Sequence, residues 1–310
     1  MKDVYTLDDL VSRSRLDEGS ENPARLAVLG SPVAHSLSPQ LHQAALDEAG
    51  CGVRYIRLEV APGKVAMALD RLQQLEFVGA NVTVPHKFEA LQAADEADNT
   101  ASTLGAANTI LFEEGRKLAF NTDGPGFVRA IHEEFLVDVK DLRIMVVGAG
   151  GGAGQAIAAQ CAREDCQRLV LVNRTLNKAE DLAARLSPCF ESERLEGPGQ
   201  RLEVYSLDSP QLALETDQID LIVNTTSVGL RRTDPSPLPP NCLQPHHLVY
   251  DTIYNPSQTL LLREASRVGA RSANGLSLLL FQGLLSFGLW FPGRQPLDTM
   301  RGSLRQALDH

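Results

Sequence analysis

The chain has 310 residues, 43% hydrophobic and 22% charged, an ordinary globular make-up long enough for about two domains. A formal net charge of −10 and a sequence pI of about 5.2 give a field that repels nucleic acid and anionic membrane, so an anionic ligand must be held by locally placed Lys, Arg or backbone N–H groups. Five dispersed cysteines, Cys51, Cys161, Cys166, Cys189 and Cys242, lack C-x-x-C spacing and argue for a reduced, cytoplasmic chain without a metal site.

Residues 1–24 mix charges with weak periodicity and read as an appended helix or arm, with no apolar core of the signal-peptide kind. The first strand is Leu26–Leu29. It runs into Gly30-Ser31-Pro32-Val33-Ala34-His35-Ser36-Leu37-Ser38-Pro39, whose prolines delay a helix until Pro39, itself suited to the first turn of a helix to Ala49. Val53–Leu58 alternates like a strand, Pro62–Leu75 like a helix and Val78–Val84 like a strand. This β-α-β-α-β order predicts a parallel sheet with right-handed crossovers. Pro85 opens another helix, and Ala107–Phe112 with Lys117–Phe120, joined across Glu113–Arg116, predicts a hairpin.

A second α/β domain follows, with strands at Arg143–Val147, Arg168–Val172, Leu202–Tyr205, Ile219–Val223 and His247–Tyr250, and helices at Gly152–Arg163, Asn177–Leu186 and Gln258–Val268. Pro188–Gln200 reads as a loose loop, and Arg231–Pro240, with four prolines, as a stiff one. Ser272–Gly293 carries no charge, and Leu276–Trp290 is strongly apolar. Asn274, Gln282, Ser286 and Pro292 interrupt it, so it reads as a buried helix at a domain junction and not as a membrane span.

The second domain opens on chemistry. Ile144-Met145-Val146-Val147 ends at Gly148, and Gly148, Gly150 and Ala153 fit G-x-G-x-x-G/A. The first glycine makes the turn, the second admits a pyrophosphate, and the third small residue lets the helix lie close to the strand. The helix from Gly152 would aim its free N–H groups at the phosphates. An NAD site wants an acid at the end of the next strand, whereas Val172-Asn173-Arg174-Thr175 offers Arg174, with Lys178 one turn on, for a 2′-phosphate. The competing reading makes Arg174 a surface arginine and Lys178 a solvated helix residue.

Three polar clusters lie in loops of the first domain: Ser36-Leu37-Ser38, then Asn81-Val82-Thr83-Val84-Pro85-His86-Lys87, then Asn108-Thr109 with Asn121-Thr122-Asp123-Gly124. Asn81, Thr83 and Lys87 fall at the C-terminal end of a predicted parallel strand, where open α/β sheets bind ligands. Hydroxyls can bond a carboxylate, amides can bond a ligand hydroxyl, and Lys87 with Asp123 offers a proton-transfer pair. Each residue also has a structural reading: Ser38 and Asn108 as turn formers, Thr83 as a strand residue, Lys87 as a solvated lysine, Asp123 as an N-cap. Together with a nucleotide domain, the clusters describe a dehydrogenase.

Over residues 25–295 the chain resembles the shikimate dehydrogenase family. The resemblance is carried by Gly30-Ser-Pro-Val-Ala-His-Ser-Leu-Ser-Pro39, Gly79-Ala-Asn-Val-Thr-Val-Pro-His-Lys87, Gly105-Ala-Ala-Asn-Thr109, Asn121-Thr-Asp-Gly124 and the glycine loop. Further along come Asn173-Arg-Thr175, Val223-Asn-Thr-Thr-Ser-Val-Gly229 and Tyr250-Asp-Thr-Ile-Tyr-Asn-Pro256. It implies an α/β chain of two domains: a substrate domain with a mainly parallel sheet (1–122 plus 275–310) and a Rossmann-type NADP domain (123–274), with the C-terminal helix returning to the first. It further implies reversible hydride transfer between NADPH and 3-dehydroshikimate in chorismate biosynthesis, by a monomer or homodimer without nucleic-acid or membrane partners. By position, Lys87 and Asp123 would be the catalytic pair, and Ser36, Ser38, Thr83, Asn108 and Gln282 would hold substrate, with Tyr254 near both ligands. Gly148, Ala149, Gly150, Gly151, Gly152 and Ala153 would hold the pyrophosphate; Asn173, Arg174, Thr175 and Lys178 the 2′-phosphate end; Thr225 would also face the cofactor. Gln43 after His42, Ser277-Leu278 before the Gln282 turn and Leu230 depart from the family pattern, and Leu278 bears on substrate selectivity. Two alternatives stand beside this one. A quinate or dual-specificity dehydrogenase must find room for an extra hydroxyl near Ser36 and Thr83, and a silent ligand-binding relative would have lost Lys87 or Asp123, both of which are present.

Overall fold

The computed structural model describes residues 2–191 and 200–308, so most of the loop predicted at 188–200 lies outside the described residues; its start, Ser187–Phe190, is a 3-10 turn. The chain divides into two units, Met1–Thr122 with Leu280–His310, and Asp123–Leu279. The second boundary falls inside the uncharged helix Leu276–Trp290, a turn beyond residue 275, where the sequence suggested it. The Tyr250 hydroxyl accepts from Leu278 N–H (3.0 Å) and shares a hydrogen bond with Ser277 Oγ (3.0 Å), which ties that first turn to the second unit.

In the first unit, β1 (Tyr5–Thr6), β2 (Ala24–Gly30), β3 (Arg54–Glu59), β4 (Gly79–Val82), β5 (Glu96–Ala97), β6 (Thr109–Glu113) and β7 (Arg116–Phe120) form one sheet ordered β1-β3-β2-β4-β6-β7-β5. The first four pair in parallel, and β6 runs antiparallel to β4 and β7. The predicted hairpin turns at Glu114-Gly115, where both φ angles are positive (49° and 75°), as a two-residue turn matched to strand twist requires. Helix Val65–Gln74 buries Val65, Ala68, Leu69 and Leu72, one stripe of 3.6 periodicity, in the core with Leu29, Leu58 and Ile110. The uncharged helix reaches the same sheet: Trp290 Nε1 donates to Ile110 O (3.0 Å), and its indole occupies the space a side chain at Gly79 would need.

In the second unit, β8 (Arg143–Val147), β9 (Arg168–Asn173), β10 (Leu202–Ser206), β11 (Leu221–Asn224), β12 (Leu248–Asp251) and β13 (Arg271–Asn274) are ordered β10-β9-β8-β11-β12-β13, every pair parallel. Within the unit that is 3-2-1-4-5-6, the dinucleotide-binding order, whose ligand crevice opens between β8 and β11. Among the described residues no helix is long and apolar enough to cross a membrane.

Several elements escape the periodicity argument. The arm is neither a single helix nor detached: β1 pairs with β3, and a short helix, Arg13–Leu16, follows. The helix expected from Pro85 begins at Lys87, because His86 N–H first closes a turn onto Thr83 O (3.0 Å). The strand expected from Ile219 begins at Leu221, since Ile219 N–H still bonds back to Thr216 O (3.0 Å).

At the starts of β8 and β11, Asp220 accepts from Arg143 N–H (2.8 Å), Nε (2.9 Å) and Nη2 (2.6 Å). Burial pushes this carboxyl up, but the hydrogen bonds and charge of Arg143 outweigh it and hold it below its usual value of 3.8. A depressed carboxyl stabilises the fold above its unfolded pKa and loses that contribution as pH falls through its folded one. Asp220→Asn is therefore expected to lower Tm by about 2–4 °C at neutral pH, and the difference from wild type should close in thermal melts taken below pH 4. A difference that stays constant from pH 7 to pH 3 would mean the charge is not what Asp220 contributes.

Candidate active site

In the first unit the strand order reverses between β2 and β4, and the chain leaves both strands at the same end of the sheet. The two exits are tied together. Ser31 N–H donates to Val84 O (3.1 Å), and a Cβ at Gly30 would lie 2.6 Å from Thr83 Cγ2, so only glycine allows the loops this approach. Ser36 and Ser38 follow β2, and Thr83 and Lys87 follow β4, at the end of the sheet where such folds bind ligands. Ser36 Oγ accepts from Ser38 N–H (3.3 Å), and Ser36 O accepts twice from the Arg57 guanidinium (3.1 and 2.8 Å). Thr83 is half-buried and Ser38 buried.

Lys87 is only 8% exposed, which removes the reading of a solvated lysine on a first helical turn. Its carbonyl accepts from Ala107 N–H (2.9 Å), and the preceding His86, fully enclosed, bonds Val60 O through Nε2 (2.7 Å). His86 is thus an anchor for the turn that presents Lys87, a role the sequence alone did not suggest.

Asn108, 1% exposed, directly precedes β6 beside the end of β4 and is held by hydrogen bonds on both sides of its amide. Its Oδ1 accepts from Thr122 N–H (2.8 Å) and Thr109 Oγ1 (3.1 Å), while its Nδ2 donates to Thr122 Oγ1 (2.9 Å) and faces Gln282 Oε1 at 3.4 Å. Gln282 and Ser286 lie one turn apart on the uncharged helix, and Ser286 Oγ meets Thr109 Oγ1 (2.8 Å), Thr122 Oγ1 (3.2 Å) and Asn81 Nδ2 (3.0 Å). Asn81, Thr109 and Thr122, which belong to the polar clusters of the sequence, thus join Asn108, Gln282 and Ser286 in one network. The available signal was an amide in the apolar strand Gly79–Val82 and a hydroxyl four residues past Gln282 in an apolar helix. Asp123 follows Thr122 directly, begins the helix Asp123–Phe135 and is 6% exposed, but belongs to the second unit.

In the second unit Gly148 has φ +89°, and a Cβ there would lie 2.6 Å from Thr226 Cγ2; one at Gly150 would lie 2.8 Å from Asn173 Nδ2 and from Lys178 Cβ. Close helix–strand packing extends to the residue after Ala153. Gly154 is buried, and a Cβ on it would press on Gly148 O and lie 2.7 Å from Thr225 Oγ1. The first bond of the helix Gly152–Arg163 is Gln155 N–H to Gly151 O (2.8 Å), which leaves the N–H groups of Gly152, Ala153 and Gly154 at an open helix N-terminus. Ala149 N–H turns back to Val172 O (3.2 Å) and Gly151 N–H to Gly148 O (3.0 Å), which fixes the loop. Thr225 closes the crevice from β11, donating both N–H and Oγ1 to Val147 O (2.8 Å each). Asn173 lies at the end of β9, accepts from Gly150 N–H (3.3 Å) and donates to Thr175 O (2.8 Å). Arg174, Thr175 and Lys178 are exposed, and no ion pair among the described residues engages Arg174 or Lys178. Tyr254 is half-buried in the turn after β12. Behind that turn, Asp251 accepts from Thr259 Oγ1 (2.7 Å), Asn224 Nδ2 (2.9 Å) and Ile253 N–H (3.1 Å), and burial raises its pKa despite these bonds.

The glycine cradle, the open helix N-terminus and two unengaged cations past β9 fit a dinucleotide with a 2′-phosphate. Comparison with known proteins agrees with this division of labour. Residues 28–110 match the shikimate dehydrogenase substrate binding domain, and residues 130–206 match the family described as shikimate / quinate 5-dehydrogenase. The chain is 41% identical to shikimate dehydrogenase (NADP(+)) of Moorella thermoacetica over 91% of its own length and 93% of the relative's. Among solved structures it resembles a shikimate dehydrogenase in complex with NADP+ (34% identity, TM-score 0.82, covering 91% of this chain and 95% of that one). It is also similar to shikimate 5-dehydrogenase of Thermus thermophilus in complex with NADP(H) and shikimate (33% identity, TM-score 0.79, 92% and 100% covered). With both domain matches in order and a relative 41% identical over 91% of this chain's length, the chain belongs to the shikimate dehydrogenase family.

Proposed function

We propose that this chain catalyses the reversible, NADPH-dependent reduction of 3-dehydroshikimate to shikimate, with Lys87 and Asp123 as the catalytic pair. The observation that carries the reading is a nearly buried lysine at the switch point of a ligand-binding sheet, in a member of a dehydrogenase family. When bound, NADPH supplies the hydride. Lys87 donates from its ammonium to the C3 carbonyl oxygen and stabilises the negative charge that grows there. Asp123 orients that ammonium and shares the proton. Ser36, Ser38 and Thr83 offer hydroxyls to the carboxylate, and Asn108 and Gln282 offer amides to the ring hydroxyls. The N–H groups of Gly152, Ala153 and Gly154 receive the pyrophosphate, together with the turn that runs from Gly148 to Ala153. Arg174 and Lys178, with Asn173 and Thr175, hold the 2′-phosphate, while Thr225 and Tyr254 line the nicotinamide side. The free thiols suit a reducing cytoplasm, and the chain acts as a monomer or homodimer.

Steady-state oxidation of shikimate and of quinate, each with NADP and with NAD, tests the proposal. Shikimate with NADP should give the highest kcat/KM. No oxidation of either acid would remove the enzyme reading, and a preference for quinate would reassign the substrate.

A further inference from the structure

Ser36 and Ser38 lie on a stretch that begins as a loop and turns helical only at Ser38, so no strand ladder fixes their hydroxyls. Side chains of β3 do so instead. Arg57 and Glu59 stand two residues apart, on one face of that strand, and each takes one backbone group of the turn that Ser36 N–H closes onto Val33 O (3.1 Å). At the start of the turn, Glu59 Oε2 accepts from Val33 N–H (2.9 Å). At its end, Ser36 O accepts from Arg57 Nε (3.1 Å) and Nη2 (2.8 Å), and the second Nη2 proton goes to Gln40 Oε1 (3.0 Å), in the first turn of the helix Ser38–Glu48. One guanidinium thus spans the residue before Leu37 and the helical turn after it. Ser36 Oγ in turn accepts from Ser38 N–H (3.3 Å), so its own proton remains to donate to a ligand, and a shift of Ser36 is passed on to Ser38. The Arg57 side chain is 12% exposed, and its remaining contact, Nη1 to the exposed carboxylate of Asp3 at 3.5 Å, is a surface pair of little weight.

On the shikimate reading above, we propose that Arg57 is a positioning residue for the substrate, setting the Ser36 and Ser38 hydroxyls at the spacing a carboxylate requires without touching the substrate itself. Glu59 anchors the other end of the turn. A planar fork donates to a carbonyl and an amide oxygen at once, whereas an ammonium is a point donor that meets them one at a time. With Nε and both Nη2 protons spent on Ser36 O and Gln40, and Nη1 facing Asp3, the guanidinium acts through the loop. The gain appears on binding, because hydroxyls already held in place need no ordering when the carboxylate arrives.

Arg57→Gln removes the fork, while the backbone at this position stays paired with β2 at Val28. In the full-length chain, the KM for shikimate should rise about tenfold, the scale of one lost charge-assisted hydrogen bond, with the KM for NADP unchanged and kcat lowered less than KM is raised. Arg57→Lys, the milder variant, keeps the charge and loses the fork, and should raise that KM about threefold. In a chain carrying Ser36→Ala and Ser38→Ala, Arg57→Gln should add less than about twofold, because the hydroxyls it positions are gone. A full tenfold loss in that background would mean that Arg57 meets the carboxylate itself and would overturn the inference. So would an Arg57→Gln variant with a lower Tm but an unaltered shikimate KM, or a wild-type KM in Arg57→Lys, since charge alone would then suffice. A wild type inactive on shikimate would overturn the underlying reading and this inference with it.

Discussion

Lys87→Ala is expected to lower kcat for shikimate oxidation by about 10³-fold, within the roughly 10²–10⁴-fold that a single acid–base or charge-stabilising group supplies. The loss should appear in kcat and kcat/KM together, since the ammonium matters most once charge has developed on the C3 oxygen. The Kd for NADP, read by fluorescence titration, should be unaltered, because every group assigned to the cofactor lies beyond residue 147. The backbone at this position is held independently of the side chain, through Ala107 N–H to Lys87 O and through the His86 anchor on Val60 O, so the variant should fold. Lys87→Arg should rescue little. A guanidinium keeps the charge but replaces a compact ammonium with a planar fork, in a place only 8% exposed. If Lys87→Ala retained wild-type kcat, the lysine would be structural and the proton would have to be managed elsewhere.

Burial is what the sequence could not supply at this position. A lysine one residue past a proline turn reads equally well as a solvated side chain, and only the tertiary packing around His86 and Ala107 decides. Where local pattern dictates structure, the reading was sharp. The apolar run Ile144–Val147 and the alanine-rich helix after Gly151 fall at their predicted bounds, because a buried parallel strand and a glycine-led helix each leave a continuous signal. The edge strands β1 and β5 have two residues each, and β13 is Arg-Ser-Ala-Asn. None is long or apolar enough to show a period of two, and their pairing is set by the neighbouring strand. How Asn81, Asn108 and Ser286 bond to one another was illegible for a different reason. The bonded partners come from separate elements, 205 residues apart for Asn81 and Ser286, and a buried polar side chain acquires meaning only once its partner is known. The glycine loop shows an intermediate case. The pattern located the loop and named Ala153, but not Gly154 beside it, which faces Gly148 O and Thr225.

The cofactor end carries the second large effect. Arg174→Ala combined with Lys178→Ala should raise the KM for NADP by about 100-fold and leave that for NAD within about twofold, since a phosphate gains one or more charge-assisted hydrogen bonds from each cation and a ribose hydroxyl gains none. Arg174 alone should account for most of the change. It stands at the end of β9, where a bidentate fork can meet the phosphate, while Lys178 supplies a point charge from the following turn. Both side chains are exposed, so the NADP preference itself should shrink as ionic strength rises, in proportion to screening of a surface contact. The glycine cradle makes no such distinction, because a pyrophosphate is common to both cofactors; a substitution such as Gly150→Val, which would collide with Asn173 and Lys178, should weaken NADP and NAD alike. Equal losses for the two cofactors in the Arg174 and Lys178 variant would show that the 2′-phosphate is recognised elsewhere. A selective loss would locate the choice of cofactor in two exposed residues past the second strand, separate from the loop that binds the dinucleotide and from Lys87, which acts on the substrate.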